Sequence, residues 1–247
     1  MRAIKRIQHA PRAMKRAARR VFYFGKARYC PICRKSARKF GEFGISPRQD
    51  ARCLFCGSLE RHRLVWLYFN RQTNLFDGSR KTVLHFAPET YFEARFRRIF
   101  GADYVTADLF APNADKKWDI MNLDCPDETF DVIYCSHVLQ HVPDDRKAMC
   151  EVRRVLKTGG WAILLAPTDA EKTIEDPTIT EPSQRLRVYG HNDFFRRYGP
   201  DYADRLSEQG FQVSVTGARD IASAAEIVRM GLTPASGQIH FCEKGER

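Results

Sequence analysis

From residue 81 the chain alternates short apolar runs with amphipathic ones, and this alternation restricts the fold more than any other feature. Strand signals fall at 82–86, 103–107, 118–120, 131–135 and 161–166; helix signals fall at 91–100, around 138–141 and at 144–156. Strands that are apolar almost throughout, each followed by a helix, predict a parallel sheet covered on both faces. The run Lys157-Thr158-Gly159-Gly160 reads as the stop of the third helix. A charged, irregular stretch over 167–198 follows, then helix signals at 201–209 and 221–230 and strand signals at 211–216 and 238–242. The 247 residues suffice for one full α/β domain with a small appendage, not for two large domains. No run of about 18 apolar residues is present, so no spanning helix is expected.

The appendage is marked by cysteine. Cys30 and Cys33 form one C-x2-C pair, nineteen residues precede a second at Cys53 and Cys56, and the other four cysteines are scattered among apolar segments. Two matched pairs at this distance have the spacing of a four-thiolate zinc ribbon, since each C-x2-C turn offers two sulfurs to one tetrahedral ion. Four ligands leave no open coordination position, so Zn2+ is expected here as a structural ion bound by Cys30, Cys33, Cys53 and Cys56. Gly57 is placed to turn the backbone behind Cys56. Ser58, with Glu60 in the first turn, reads as the N-cap of a helix running to about residue 70.

Charge is uneven along the chain. Ten of the 41 Lys and Arg lie in residues 1–28, which hold none of the 30 Asp and Glu; the rest of the chain carries 31 basic against 30 acidic residues. Apolar positions Ile4, Ile7, Met14, Ala18 and Val21 recur at helical spacing among these cations, the pattern of an amphipathic helix that lies on an anionic membrane surface. A solvated tail and an Arg-rich transit segment are the alternatives. The near-neutral remainder argues against a nucleic-acid binder whose excess charge is spread over a binding face.

In open α/β sheets ligands bind beyond the carboxyl ends of the strands, where the strand order reverses. Those ends carry His85-Phe86-Ala87-Pro88-Glu89, Asp108, Asp119-Ile120 and Cys135-Ser136-His137. Asp108 stands about twenty residues after the first loop, where a carboxylate can accept from a ribose diol. His137 and His141 are four apart, on one helical face. The stretch 119–167, reading DIMNLDCPDETFDVIYCSHVLQHVPDDRKAMCEVRRVLKTGGWAILLAP, resembles the class I S-adenosylmethionine-dependent methyltransferases of the type 11 group. Phe130 and Asp131 match one recurrent element; His137, Val138, Leu139, His141 and Val142 match a second; Glu151, Arg154, Val155, Leu156, Lys157, Gly159 and Gly160 match a third. Together with CPIC…CGSLERHR…VLHFAPE the chain is similar to a bacterial branch carrying an N-terminal four-cysteine element.

The resemblance implies S-adenosylmethionine as cofactor and places its contacts. Asp108 would hold the ribose hydroxyls, Asp119 the adenine amino group, and Ile120 would flank the ring. Ser136 and His137 would lie beside the methionine part and the reactive methyl. Relatives carry V-L-D-x-G-x-G-x-G at the first strand; here Ala87, Glu89 and Tyr91 stand for the glycines. His85, Ala87 and Glu89 are therefore expected to form a reshaped cofactor loop, with Glu89 pairing with the cofactor's ammonium. The alternative is a loop that no longer binds cofactor. Long loops with charged and aromatic residues often form lids, and 167–200 is read as the lid and acceptor site, with His191, beside His137, as general base for a hydroxyl acceptor.

The sequence thus predicts a basic leader (1–28), a four-cysteine zinc-ribbon-like module (29–58) and a methyltransferase domain (59–247) with an insertion at about 167–200. The expected fold is a doubly wound, mostly parallel, seven-stranded Rossmann-like sheet. The acceptor is open: a hydroxyl of a sugar or lipid-linked glycan is favoured, with ribosomal or transfer RNA and a non-catalytic interaction protein as alternatives. The expected location is cytoplasmic, with a peripheral place at the inner face of the membrane as the alternative if the leader is not simply a solvated tail. Nucleic acid is not the favoured partner, and the sequence does not fix the oligomeric state.

Overall fold

The computed structural model describes residues 22–44 and 47–245. Most of the basic leader, with the amphipathic pattern read there, lies outside the described residues. Two compact units emerge, one running to Thr73 and joined by Ala218–Ser236, the other made of Asn74–Gly217 and Gly237–Arg247.

In the first unit β1 (Arg28–Cys30) pairs antiparallel with β2 (Lys35–Ala37), and β3 (Gly41–Phe43) with β4 (Arg48–Arg52). Helix α1 spans Glu60–Arg71. Gly57, at φ +85°, supplies the left-handed turn its position predicts, and its N–H donates to the Cys53 carbonyl at 2.9 Å. Ser58 does not cap α1. Its hydroxyl lies 3.4 Å from Cys30 Sγ and 3.2 Å from Cys56 Sγ, while the Leu59 N–H donates to His62 Nδ1 at 3.0 Å. The cysteine cluster thus claims the serine, and a histidine one turn into the helix takes over the orphan donor.

The four-cysteine module therefore does not end at residue 58. Arg63, on α1, is fully buried. Its guanidinium donates to the carbonyls of Ala51 and Ser58 (both 3.0 Å), Met230 (2.6 Å) and Gly231 (3.2 Å) and lies over the Phe40 ring at 4.3 Å. Arg71, at the other end, bonds the Ile221 carbonyl and the Glu226 carboxylate. One helix thus joins the cysteine turns to the segment 218–236.

The second unit carries the sheet. Strands β5 (Val83–Phe86), β6 (Tyr104–Ala107), β7 (Phe130–Ser136) and β8 (Leu156–Leu165) are parallel. Helix α2 (Thr90–Phe100) follows β5, and α3 (Asp145–Val155) links β7 to β8. Beyond β8 come β9 (Ile174–Glu175), α4 (Pro182–Tyr189), β10 (Arg196–Arg197), α5 (Tyr202–Ser207) and β11 (Gln212–Thr216). After α6 (Ala218–Ile221) and α7 (Ala224–Met230) of the first unit, β12 (Ile239–Glu243) returns to the sheet. The spatial order is β11-β12-β8-β7-β5-β6, with β12 antiparallel to both neighbours. This is the doubly wound, mostly parallel arrangement expected, with six strands among the described residues. The seventh, read at 118–120, is reduced to bridges: Lys116 pairs with Ala107 and Asp119 with Asn122. Turns on the Asp119 side chain and carbonyl divert the chain before a ladder can grow.

Alternation along the strands fills the two faces differently. Leu84, Phe86, Ile133 and Cys135 pack toward Met149, Val152 and Val155 of α3. His85 and Tyr134 face the ring stack of Phe92 and Phe96 on α2. Right-handed crossovers on either side of β5 require this division.

Residues 167–200 are more ordered than their composition suggested. β9 and β10 pair antiparallel, and Arg196 is fully buried. Arg196 donates to the carbonyls of Leu139 (2.9 Å), Val142 and Pro143 (both 2.6 Å) and to Glu175 (2.8 Å). Asp145, also buried, faces Arg196 at 3.6 Å and accepts from Arg205 and from the Tyr198 hydroxyl at 2.6 Å.

Charge follows the division into units. The first holds 13 basic and 5 acidic residues when the leader's first 21 are set aside; the second holds 20 basic and 25 acidic. With Lys26 and Arg28 of the leader counted in the first unit, the near-neutral remainder read from the sequence divides into a basic unit and an acidic one.

Burial pushes the Asp145 pKa up, but the Arg205 hydrogen bond, the Arg196 charge and Tyr198 together hold it below the ordinary carboxylate value. Its contribution to stability is therefore present above the unfolded pKa of about 3.9 and is lost as pH falls through the folded value. Asp145→Ala strands two buried guanidinium groups and is expected to cost about 3–5 kcal/mol in urea unfolding at neutral pH. A loss below about 1 kcal/mol would show that the network is not held by Asp145.

Candidate functional site

Register aligns the strand ends. Phe86 pairs with Ala107 on one side and Cys135 on the other, and Ser136 pairs with Leu165. The next residues, Ala87, Asp108 and His137, therefore leave the sheet close together at the point where strand order reverses. There a cavity of about 650 Å³ opens, lined among others by Ala87, Asp108, Trp118, Asp119, Ile120 and His137. The lining also takes in His141, Val142 and Pro143 from the turn after β7 and Arg185, Asp193 and Phe195 from the insertion.

The turns that form its floor use the left-handed region without glycine: Ala87 has φ +47° and His137 φ +58°. Such conformations cost roughly 1–2 kcal/mol for a residue with a Cβ and persist where the surroundings over-determine them. At Ala87 the N–H donates to the Ala107 carbonyl (3.0 Å); at His137 the N–H donates to Leu165 (2.8 Å). Ala87 thus adopts the backbone conformation that a glycine would supply.

Asp108 and Asp119 are built alike. Asp108 Oδ1 accepts the N–H groups of Phe110 and Ala111, both at 2.7 Å, and Asp119 Oδ1 accepts from Met121 N–H at 2.9 Å. Each loop fixes its own carboxylate through Oδ1, and Oδ2 has no protein partner among the described residues. Two oriented acceptors on one cavity suit a polyhydroxylated, amino-bearing ligand. Phe110, 87% exposed, stands at the rim.

Three residues assigned to the cofactor from sequence lie behind the cavity lining. His85 is fully buried. Its Nδ1 meets the Tyr104 hydroxyl and its Nε2 meets Glu89 Oε2, both at 2.7 Å; Tyr134 donates to Glu89 Oε1 at 3.3 Å. Burial raises the Tyr104 pKa, so the phenol keeps its proton, and it donates to Nδ1 in the tautomer whose Nε2–H faces the carboxylate. Nε2–H then donates to the carboxylate, which can only accept. Both Glu89 oxygens are thus engaged, and the carboxylate holds the loop from behind. Ser136, the third, is buried at the end of β7.

His191 is outside the lining and half-exposed. It hydrogen-bonds Asp193 and stacks on Phe194 at 4.9 Å. His141, four residues after His137, also lines the cavity, with Nδ1 3.3 Å from Asp193 Oδ2. Burial lowers its pKa below the ordinary imidazole value, opposed by the Asp193 charge, so the ring is neutral near pH 7. Arg185 and Phe195 were visible in the sequence only as members of a charged, aromatic stretch; their meeting depends on the turn between α4 and β10.

The four-cysteine site is separate from this cavity. Sγ atoms of Cys30, Cys33, Cys53 and Cys56 all lie within 4.8 Å of one another. Cys30–Cys56 and Cys33–Cys53 are each 3.7 Å apart. A tetrahedron with metal–sulfur arms of ~2.3 Å has edges of about 3.8 Å, so the donor set fits one such ion. Hydrogen bonds from Cys30, Cys33 and Cys53 pull the Cys56 thiol far below its ordinary value.

With this geometry in place the relatives can be considered. Residues 86–164 match the methyltransferase domain family. An uncharacterized methyltransferase of Schizosaccharomyces pombe is 33% identical over 78 residues, 30% of this chain and 28% of that one. The methyltransferase YcgJ of Bacillus subtilis is 41% identical over 70 residues, 28% of this chain and 27% of that one. The chain thus matches a little over a quarter of the length of these curated relatives. Among solved structures, the [4+2]-cyclase SpnF superposes with a TM-score of 0.50 at 16% identity, covering 75% of this chain and 82% of that one. The fold is the Rossmann-like α/β fold of class I methyltransferases, and the match to the methyltransferase domain family lies within it, over residues 86–164.

Ala87→Gly is a direct check on the floor of the cavity. Elsewhere this change costs about 0.5–1 kcal/mol; here relief of the left-handed strain should leave unfolding free energy unchanged or raise it by up to ~1 kcal/mol. A loss above about 1 kcal/mol in denaturant unfolding would show that the left-handed turn is not populated.

Proposed function

We propose that the chain is an S-adenosylmethionine-dependent methyltransferase. The observation that carries this reading is the pair Asp108 and Asp119, each with Oδ1 spent on its own loop and Oδ2 unpartnered, on one cavity at the switch point. Asp108 would accept from the ribose hydroxyls, Asp119 from the adenine amino group, and Ile120 would flank the ring. The cofactor supplies an activated methyl on a sulfonium. The protein orients the acceptor and removes its proton, the demands of direct displacement. His137, in the cavity wall, is the nearer proton acceptor; His191 would act from the rim. The acceptor we favour is a hydroxyl of a sugar or lipid-linked glycan, supported by the histidine-bearing rim and by a basic leader suited to anionic lipid.

Two charge-assisted hydrogen bonds contribute about 1.5–3 kcal/mol each. Asp108→Ala is therefore expected to weaken S-adenosylhomocysteine binding at least about tenfold in calorimetry. Asp108→Asn, which keeps an oxygen for the loop, should lose less. Unchanged affinity in both would place the cofactor elsewhere.

Zn2+ is the proposed occupant of the four-thiolate site, in a structural role, on the 3.7 Å sulfur edges. Metal analysis should return about one zinc per chain. Cys53→Ser should lose it and loosen the first unit, because binding energy at such sites is folding energy. Full retention of zinc after replacement of all four cysteines would refute the assignment.

RNA is the second reading of the acceptor, favoured by the 13 basic against 5 acidic residues of the first unit. It requires RNA affinity that falls steeply with salt. Vesicle binding through residues 1–28 without RNA affinity would favour the lipid-linked acceptor.

A further inference from the structure

We infer that the part of the cavity lined by Arg185 and Phe195 is an anion subsite, built on Arg185, that receives a carboxylate or phosphate group of the acceptor. The inference rests on the methyltransferase reading and narrows its substrate class to acidic or phosphorylated acceptors.

Arg185 is the one Lys or Arg among the residues lining the cavity. Its guanidinium lies over the Phe195 ring at 3.9 Å, and Nε donates to the Ile179 carbonyl at 3.3 Å. The stack fixes the plane of the group and the Nε bond fixes its rotation within that plane. What remains is the pair of terminal Nη groups, which have no partner among the described residues. A guanidinium held flat and by one edge presents parallel N–H donors, the geometry that carboxylate and phosphate oxygens take bidentately.

The surroundings make the missing counter-ion informative. The second unit has 25 acidic against 20 basic residues, and seven of its eleven other described arginines pair with carboxylates. Arg80 pairs with Asp103, Arg97 with Glu93 and Asp115, Arg146 with Glu208, and Arg197 with Asp169. The acid nearest in role is Asp193, also in the lining, yet its oxygens are taken by His141 and His191. No ion pair joins Asp193 to Arg185 among the described residues. The cation is thus kept unneutralised at the same cavity as the two carboxylates given to the cofactor. An uncharged acceptor would leave the Nη groups to water; an anionic one satisfies them.

The test uses the full chain and three probes, benzoate, phenyl phosphate and uncharged benzamide, titrated by calorimetry with and without saturating S-adenosylhomocysteine. Benzoate or phenyl phosphate should bind at least about tenfold more tightly than benzamide. Arg185→Gln should remove that preference and Arg185→Lys should keep part of it. Whichever anion is preferred distinguishes a carboxylate-bearing from a phosphate-bearing acceptor. S-adenosylhomocysteine affinity should be the same in wild type and Arg185→Gln. Equal binding of all three probes, or an anion preference that survives Arg185→Gln, overturns the subsite. Failure of wild type to bind S-adenosylhomocysteine would instead overturn the cofactor reading, and the probes without it would still decide whether Arg185 binds anions.

Discussion

The wall of the cavity depends on one buried arginine. Arg196 comes from the insertion after β8, yet three of its hydrogen bonds go to carbonyls of Leu139, Val142 and Pro143, the segment that carries His141. Its charge is balanced by Asp145, at the start of α3, and by Glu175, which is shared with Arg205. A buried cation is tolerated only when its donors are satisfied and its charge is matched. Here both conditions are met by groups from four separate stretches of chain. Shift any one of them and a desolvated charge is exposed, so the insertion, the turn after β7 and the helix start are held in one arrangement. The cavity can then be lined by loops and still have fixed walls.

The glycine-poor loop after β5 shows which part of a motif is physical necessity. Relatives use glycine there for two purposes, a left-handed turn and close backbone approach. Ala87 performs the first at a conformational cost. The second is met differently. Glu89 is tied to His85 and Tyr134, and His85 to Tyr104, so a chain of hydrogen bonds runs from β6 through β5 to β7 beneath the loop. The loop is stiffened by side chains instead of being made compliant by glycine. A histidine where relatives have aspartate is consistent with this, because a ring with two nitrogens can bridge a phenol and a carboxylate at once, which an acceptor-only carboxylate cannot.

Much of this was legible in the sequence, and the limits have physical reasons. The strands and the two main helices follow from periodicity, and the switch-point rule then selects Ala87, Asp108, Asp119 and His137 without any distances. Periodicity could not show that 118–120 would stop at two bridges, since the Asp119 turn that diverts it is a local side-chain hydrogen bond. Nor could it separate His85 and Glu89 from the lining: alternation says that His85 faces α2, but the Glu89 carboxylate could have pointed either way. Cysteine spacing marks ligands and not the extent of the packed unit, which runs to Thr73 and takes in Ala218–Ser236. Arg63 and its partners at 230 and 231 are 167 and 168 positions apart, beyond the reach of any local pattern.

Arg63 also bears on why a basic module accommodates the cysteines at all. Burial lowers the pKa of its guanidinium, and the nearby Cys30, Glu60, Cys53 and Cys56 charges oppose that. Four thiolates around one divalent ion carry a net charge of about −2, so a metal centre of this type is an anion to its neighbours. Ser58 connects the two: its hydroxyl touches Cys30 and Cys56, and its carbonyl accepts from Arg63. Without metal the cluster would carry less negative charge, and Arg63 would be left with Glu60 and carbonyl dipoles as its main counterweights in a desolvated site. Metal occupancy would therefore reach past the two C-x2-C turns, through Arg63, to the carbonyls of Met230 and Gly231 that close the unit. The cysteines and the distant segment 218–236 fold as one body because a single buried cation answers to both.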